Sequence, residues 1–348
     1  MGYVDLHLHL DGAITVDIAK KLAKMQGITL PGANDDELRK KLQVSPDCAD
    51  LNEFLECFSL PCSLLQTKEA LSEAVRLVLE DCKKQGVVYA EIRYAPQLHT
   101  EQGMSQEDAI RAAIEGLKLA TAKGNDHNPG DESSEAEDGE HAGMIRANLI
   151  LCLMRGEGNE AANEETLSLA KKYLVEDNGV VAIDIAGAEG LFPTKNYRDI
   201  FTKAREMGVP FTIHAGEADG AESVRDALDF GAVRIGHGVR SNEDVSVIQD
   251  IIRKNIPLEM CPTSNRQTHA VEDMSKYPII DYLNKGVCVT VNTDDPAIEG
   301  TTIEKEFEYL RETFGLTDEQ QKKLLENSVE AAFTTDQVKD ELRVKLGL

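Results

Sequence analysis

The sequence predicts a (β/α)8 (TIM) barrel, with residues 1–348 forming one domain. Three observations carry that prediction. Eight short apolar, β-branched runs recur along the chain, stretches of helical periodicity separate them, and 348 residues suit a single barrel. The runs are YVDLHL (3–8), GVVYAEIRY (86–94), MIRANLILCL (144–153), GVVAIDIAG (179–187), GVPFTIHAG (208–216), AVRIGHG (232–238), IPLEMC (256–261) and GVCVTVN (286–292). Near-continuous apolar strands imply a parallel sheet covered on both faces.

The intervening segments complete the pattern. TKEALSEAVRLVLEDCKKQG (67–86), SQEDAIRAAIEGLKLATAKG (105–124) and YRDIFTKAREMG (197–208) repeat apolar residues at helical spacing. No G-x-G-x-x-G follows the first strand, which argues against a dinucleotide-binding, doubly wound sheet. Two segments depart from the repeat. Residues 10–65 exceed one barrel helix and contain LNEFLECFSLPCSLL (51–65), so they are expected to form an elaborated helical first βα connection over the C-terminal face. The insertion at about 125–141, NDHNPGDESSEAEDGEH, has seven acids and no Lys or Arg. It reads as a solvated loop on the opposite face, away from any active site.

Composition narrows the function classes. The chain has 62 acidic against 37 basic side chains, a formal charge of −25. Such a charge repels polyphosphate, so neither nucleic acid nor an anionic membrane is an expected partner. No apolar stretch approaches 18 residues, and the opening MGYVDLHLHLDG has no secretory pattern. Seven cysteines without a C-x-x-C suggest thiols in a reducing compartment. A soluble cytoplasmic protein is expected.

Polar residues gather where the strands end, which is where (β/α)8 active sites are built. The first strand ends in His7, His9 and Asp11, the fourth in Asp184 to Gly187, and the fifth in His214 to Glu217. His237 ends the sixth, and Asn292 to Asp295 the eighth. Residues i and i+2 of a strand share a face, so His7 and His9 can point into the mouth together. With His214 and Asp294 they offer three nitrogens and one oxygen, a set suited to zinc or a neighbouring divalent metal. Glu217 in a dry site could act as a proton donor. His237 could be a general base or give electrostatic support to an attacking hydroxide. His99, His127, His141 and Cys261 fall outside this set, whereas His269, after the seventh strand, could face a substrate.

These residues and their surroundings resemble the adenosine deaminase family of metal-dependent amidohydrolases. The likeness spans VDLHLHLDGAI, DIAGAE (184–189), HAGEADG (214–220), RIGHGVR (234–240), CPTSNRQT (261–268), NTDDPAI (292–298) and NSVEAAF near the end. It implies a barrel enzyme that converts adenosine or 2′-deoxyadenosine to inosine and ammonia in purine salvage. It further implies that His7, His9, His214 and Asp294 bind one zinc ion (Zn2+). Glu217 would protonate purine N1, and His237 would orient and help deprotonate the attacking water. Asp295 would bond N7, the Gly187 NH would reach N3, and Asp11 with His9 would lie near the ribose 5′-hydroxyl. Asp184 would orient a metal ligand. Phe54, Leu55, Phe58 and Leu60 resemble the family's lid. The fourth strand, VVAIDIAG, lacks the lysine that bridges two metals in related enzymes, which supports a single ion.

Other readings remain within and beyond that chemistry. Adenine, a 5′-modified adenosine or an N6-substituted AMP could replace adenosine as substrate. Asp11 would repel a phosphate, although Arg266 could belong to a phosphate-binding loop. Hydrolysis of a cyclic amide is a further amidohydrolase reaction. A silent nucleoside-binding relative would show a gap in the metal or acid set, and the sequence shows none.

Overall fold

Each apolar run becomes a strand in the computed structural model, which describes residues 2–45, 48, 54–122 and 145–348. The strands are β1 (Tyr3–His9), β2 (Val87–Tyr94), β3 (Arg146–Met154), β4 (Val180–Ala186), β5 (Thr212–Ala215), β6 (Arg234–His237), β7 (Leu258–Met260) and β8 (Val289–Val291). All neighbours run parallel, in the order β1-β2-β3-β4 in one sheet and β5-β6-β7-β8 in a second. The sheets meet at both margins. Ile183 of β4 pairs with Phe211 ahead of β5, and Leu8 of β1 pairs with Asp294 beyond β8. The ring of eight parallel strands is the expected (β/α)8 barrel.

Two of the three expected helices start where a short polar side chain satisfies one of their first amides. Thr67 accepts from Ala70 N ahead of Lys68–Lys84, and Ser105 accepts from Asp108 N ahead of Gln106–Thr121. The third expected helix spans Arg198–Glu206. Among the described residues, no helix is long and apolar enough to cross a membrane.

The first βα connection contains helices Val16–Gln26, Asp35–Leu42 and Ser59–Leu64. It reaches across the mouth, since Phe54 packs on Ile298, which follows β8. The acidic insertion at 125–141, with His127 and His141, lies outside the described residues.

A charged lattice crosses the barrel beneath its mouth. Arg93 of β2 lies 2.7 Å from both Asp184 and Glu259. Arg234 of β6 sits 2.6 Å from Glu259 and 2.7 Å from Glu91, and its guanidinium stacks 3.9 Å from the Phe333 ring centre. All of these charges are buried, so each would be costly without its partners. Burial alone would raise the Glu259 carboxyl, but Arg93 and Arg234 hold it well below the usual carboxylate range.

Candidate active site

The alternation of β1 places His7 and His9 on one face, as their spacing requires. His7 Nε2 lies 3.0 Å from His214 Nε2 and 3.1 Å from Asp294 Oδ1. His9 Nε2 lies 3.2 Å from His214 Nε2 and 3.3 Å from the same carboxylate oxygen. Three imidazoles and one carboxylate from β1, β5 and β8 therefore converge on a common point. His7, His214, His237 and Asp294 also each offer a ligand atom, all within 4.8 Å of one another.

The backs of the rings explain what their fronts can do. His7 Nδ1 is 2.8 Å from Glu259 Oε2, and His214 Nδ1 is 2.8 Å from Asp184 Oδ2. Hydrogens held there by carboxylates leave both Nε2 atoms with bare lone pairs. Two bare lone pairs 3.0 Å apart repel unless a cation lies between them. Tetrahedral zinc with bonds of about 2.0–2.1 Å gives ligand spacings of roughly 3.3 Å. The residues thus fit a divalent metal of the zinc type.

Burial lowers the His7 and His9 imidazoles, favouring the neutral form that a metal needs. At Asp294, burial is outweighed by the neighbouring imidazoles of His7 and His237, which hold its carboxyl well below the ordinary range.

Asp294 adopts a left-handed backbone, φ 64°, and His237 another, φ 60°. Neither is glycine, so both conformations must be held by their surroundings. Asp294 N donates to His7 O at 2.7 Å, and Asp294 O accepts from His9 N at 2.8 Å. The backbone N–H and C=O of this one residue thereby lock the β8 exit between the two histidines of β1.

Above the cluster lies a cavity of about 330 Å³. His9, Asp11, Gly187, Glu217, His237 and Asp295 line it, together with His214 and Asp294. His7 and Asp184 lie beneath its floor, fully buried. The opposite wall is apolar, with Phe54, Leu55 and Phe58 from the first connection and Leu98 after β2. Leu60 packs against the core instead.

Glu217 Oε1 lies 3.1 Å from the Thr268 hydroxyl, and Oε2 lies 3.6 Å from His237 Nε2. Burial raises the Glu217 carboxyl, as a proton donor requires. Asn265 Nδ2 lies 3.1 Å from His237 Nδ1. An amide nitrogen only donates, so the neutral ring carries its hydrogen on Nε2, facing Glu217 and Asp294. Asp295 is raised well above the ordinary range by burial and then by the charges of Asp294 and Asp11. A Cβ on Gly12 would fall 1.8 Å from Asp295 Oδ1, so only glycine can pass over that carboxyl. Gly187, at φ 106°, makes the turn out of β4 that brings its backbone to the cavity.

Some supporting residues escaped the reading of strand ends. Glu259 and Arg93 lie inside strands, and Asn265 and Thr268 lie in the short segment after β7. A charged residue within an apolar strand was a usable signal, because buried parallel strands tolerate charge only when it is paired. His269 does not line the cavity: its Nε2 lies 2.8 Å from Cys48 O. Arg266 is exposed and lies over the Tyr309 ring, 5.1 Å from its centre.

The family model described as adenosine deaminase matches residues 3–347. The chain belongs to the adenosine deaminase family. An adenosine deaminase from Haemophilus ducreyi is 48% identical over 98% of this chain and 94% of its own length. Among solved structures, an adenine deaminase from Arthrobacter aurescens superposes with a TM-score of 0.84 at 28% identity, over 99% of this chain and 98% of that one. An N6-mAMP deaminase from Arabidopsis gives 0.80 at 26% identity, over 100% and 98%. Family membership makes the chain an enzyme of the deaminase type, acting on a C–N bond.

Proposed function

We propose that this protein hydrolyses the exocyclic amine of adenosine and 2′-deoxyadenosine, releasing inosine or 2′-deoxyinosine and ammonia, with one zinc ion held by His7, His9, His214 and Asp294. The observation that carries this reading is the convergence of those ligand atoms, 3.0–3.3 Å apart, beside a buried acid and an oriented imidazole. When bound, zinc lowers the pKa of water enough to provide a hydroxide nucleophile near neutral pH.

The chain's own groups do the rest. Glu217, its carboxyl raised by burial, donates to purine N1 and so removes electron density from C6. His237 points its Nε2–H at the attacking oxygen, holding it in line and stabilising its charge, while Asn265 fixes the ring. Asp295, also kept protonated, donates to N7, which can only accept. The Gly187 NH donates to N3. Asp11 accepts from the ribose 5′-hydroxyl, and the lid residues Phe54, Leu55 and Phe58 keep bulk water from the sugar and base.

Adenosine fits better than a nucleotide. Arg155 is the single Lys or Arg among the described lining residues. Its guanidinium already donates to Phe192 O, Thr194 Oγ1 and His214 O. A phosphate beside Asp11 would face a carboxyl and no uncommitted cation. Adenine is the second reading, favoured by the likeness to the Arthrobacter adenine deaminase.

The test is to follow the ultraviolet absorbance of adenosine with zinc-loaded protein, with adenine, AMP and methylthioadenosine in parallel. Fast turnover of adenosine is expected. Activity on another of the four would keep the mechanism and move the substrate. Silence on all four would leave a nucleoside-binding relative.

A further inference from the structure

Glu189 closes the DIAGAE segment after β4, is not itself one of the predicted ligand or catalytic residues, and is buried. Its Oε1 accepts from Gly216 N at 2.8 Å and from the Ser223 hydroxyl at 2.5 Å. Its Oε2 accepts from Glu217 N at 3.0 Å, Ala218 N at 2.8 Å and Asp219 N at 3.0 Å. Four consecutive amides of the turn after β5 thus converge on a single carboxylate, and the second of them belongs to Glu217. Hydrogen bonds to an ionised acceptor are about twice as strong as neutral ones. A buried carboxylate with five donors is therefore a firm mount.

From this geometry we infer that Glu189 is the positioning residue of Glu217: it fixes the backbone from which that acid reaches purine N1. The inference rests on the deaminase reading above. Gly216 makes the turn possible with a left-handed φ of 73°, and the amides of Gly216 and Glu217 would otherwise be buried without acceptors. Glu189 supplies the acceptor and, by its position below the turn, sets where the Glu217 side chain begins. Its negative charge also adds to the burial that raises the Glu217 carboxyl. Neither effect involves contact with substrate or with the proposed metal ligands. A displaced acid is costly: misplacement by about 1 Å can lose 100-fold in rate.

A double-mutant cycle separates this role from a general structural one. Glu189→Gln keeps size and loses charge, and its NH2 group faces amides that need an acceptor. In the parent enzyme, Glu189→Gln is expected to lower kcat about 100-fold. KM should stay within threefold and zinc content should be unchanged by atomic absorption. Placed on Glu217→Gln, the same change should cost less than about threefold, because the group it positions is already disabled. If Glu189→Gln yields no soluble protein, Ser223→Ala carries the same cycle, with about a fivefold loss in the parent and none on Glu217→Gln. Equal losses in both backgrounds, or parental kcat in the single variant, would overturn the inference while leaving the deaminase reading intact. A parent enzyme without turnover on adenosine or its relatives would overturn both.

Discussion

The two halves of the barrel are built differently. Strands β1 to β4 contain seven to nine residues each, whereas β5 to β8 contain three or four. The first half rests on long ladders between apolar strands, with β2 and β4 buried at every position. The second half has less ladder and supplies the proposed proton-handling pair Glu217 and His237 with His214, Glu259, Asp294 and Asp295, while the ends of β1 and β4 supply His7, His9, Asp11, Asp184 and Gly187. Where pairing is short, side-chain charges take over the joining. Glu259 alone ties His7, Arg93, Arg234 and Thr212 together across the barrel. Stability and function should therefore separate inside a long ladder such as β3 and stay fused where short strands carry the site.

The largest expected effect tests the fused half. Glu217→Gln should lower kcat by about 1,000-fold, within the range for loss of a general acid. Zinc content should be unchanged, so that steady-state assay and metal analysis together isolate the proton donor. Next comes Glu259→Gln, which takes one of two carboxylate partners from each of two buried guanidiniums and loosens His7. Chemical denaturation should show a loss of about 4 kcal/mol, as for a broken buried ion pair. Competition with a chelator should show metal affinity falling 10- to 100-fold or so.

Leu151→Ala in β3 is the counterpart in the long-strand half. Its cavity should cost about 3 kcal/mol of stability, yet kcat should stay within twofold. A large kcat loss there would break the comparison.

Glu306 sharpens it through pH. This buried carboxyl accepts from Thr263 N, after β7, at 2.9 Å, bonds Thr301 beyond β8, and is pushed up by burial to about 7. The folded protein keeps a proton there that the unfolded chain releases near pH 4.5. The stability linked to Glu306 is thus fully present below pH 4.5 and is lost as pH rises to 7, by about 3 kcal/mol. In Glu306→Gln, denaturation midpoints should vary less over that window. The smallest effect belongs to the outer shell. Thr317→Ala removes one side of a capping box with Gln320 and should cost about 1 kcal/mol without touching activity.

Much of this architecture was legible from residue order. Eight apolar runs became eight strands because a parallel strand buried on both faces needs unbroken apolar sequence. The second-half runs overshoot their strands: GVPFTIHAG spans 208–216, but β5 is Thr212–Ala215. Composition marks what is buried, whereas ladder length depends on the neighbouring strand. The convergence of His7, His9, His214 and Asp294 followed from strand-end position and the period of two. Glu259 and Arg93 were hidden because their meaning lies in a pairing between β2 and β7. The left-handed backbones of His237 and Asp294 were hidden as well, since aspartate and histidine adopt that conformation only occasionally and glycine alone announces it.

The Asp294 backbone, bonded through both its N–H and its C=O to β1, has a consequence for how the molecule matures. His7 and Asp294 lie far apart in sequence, and the contact that joins β8 to β1 also completes the proposed ligand set. During synthesis, the two β1 histidines leave the ribosome well before the carboxylate that completes their set. A nascent chain stalled before β8 would hold neither a sealed barrel nor a complete cage. Metal uptake is then a late step, and retention of the ion reports that the whole ring has closed.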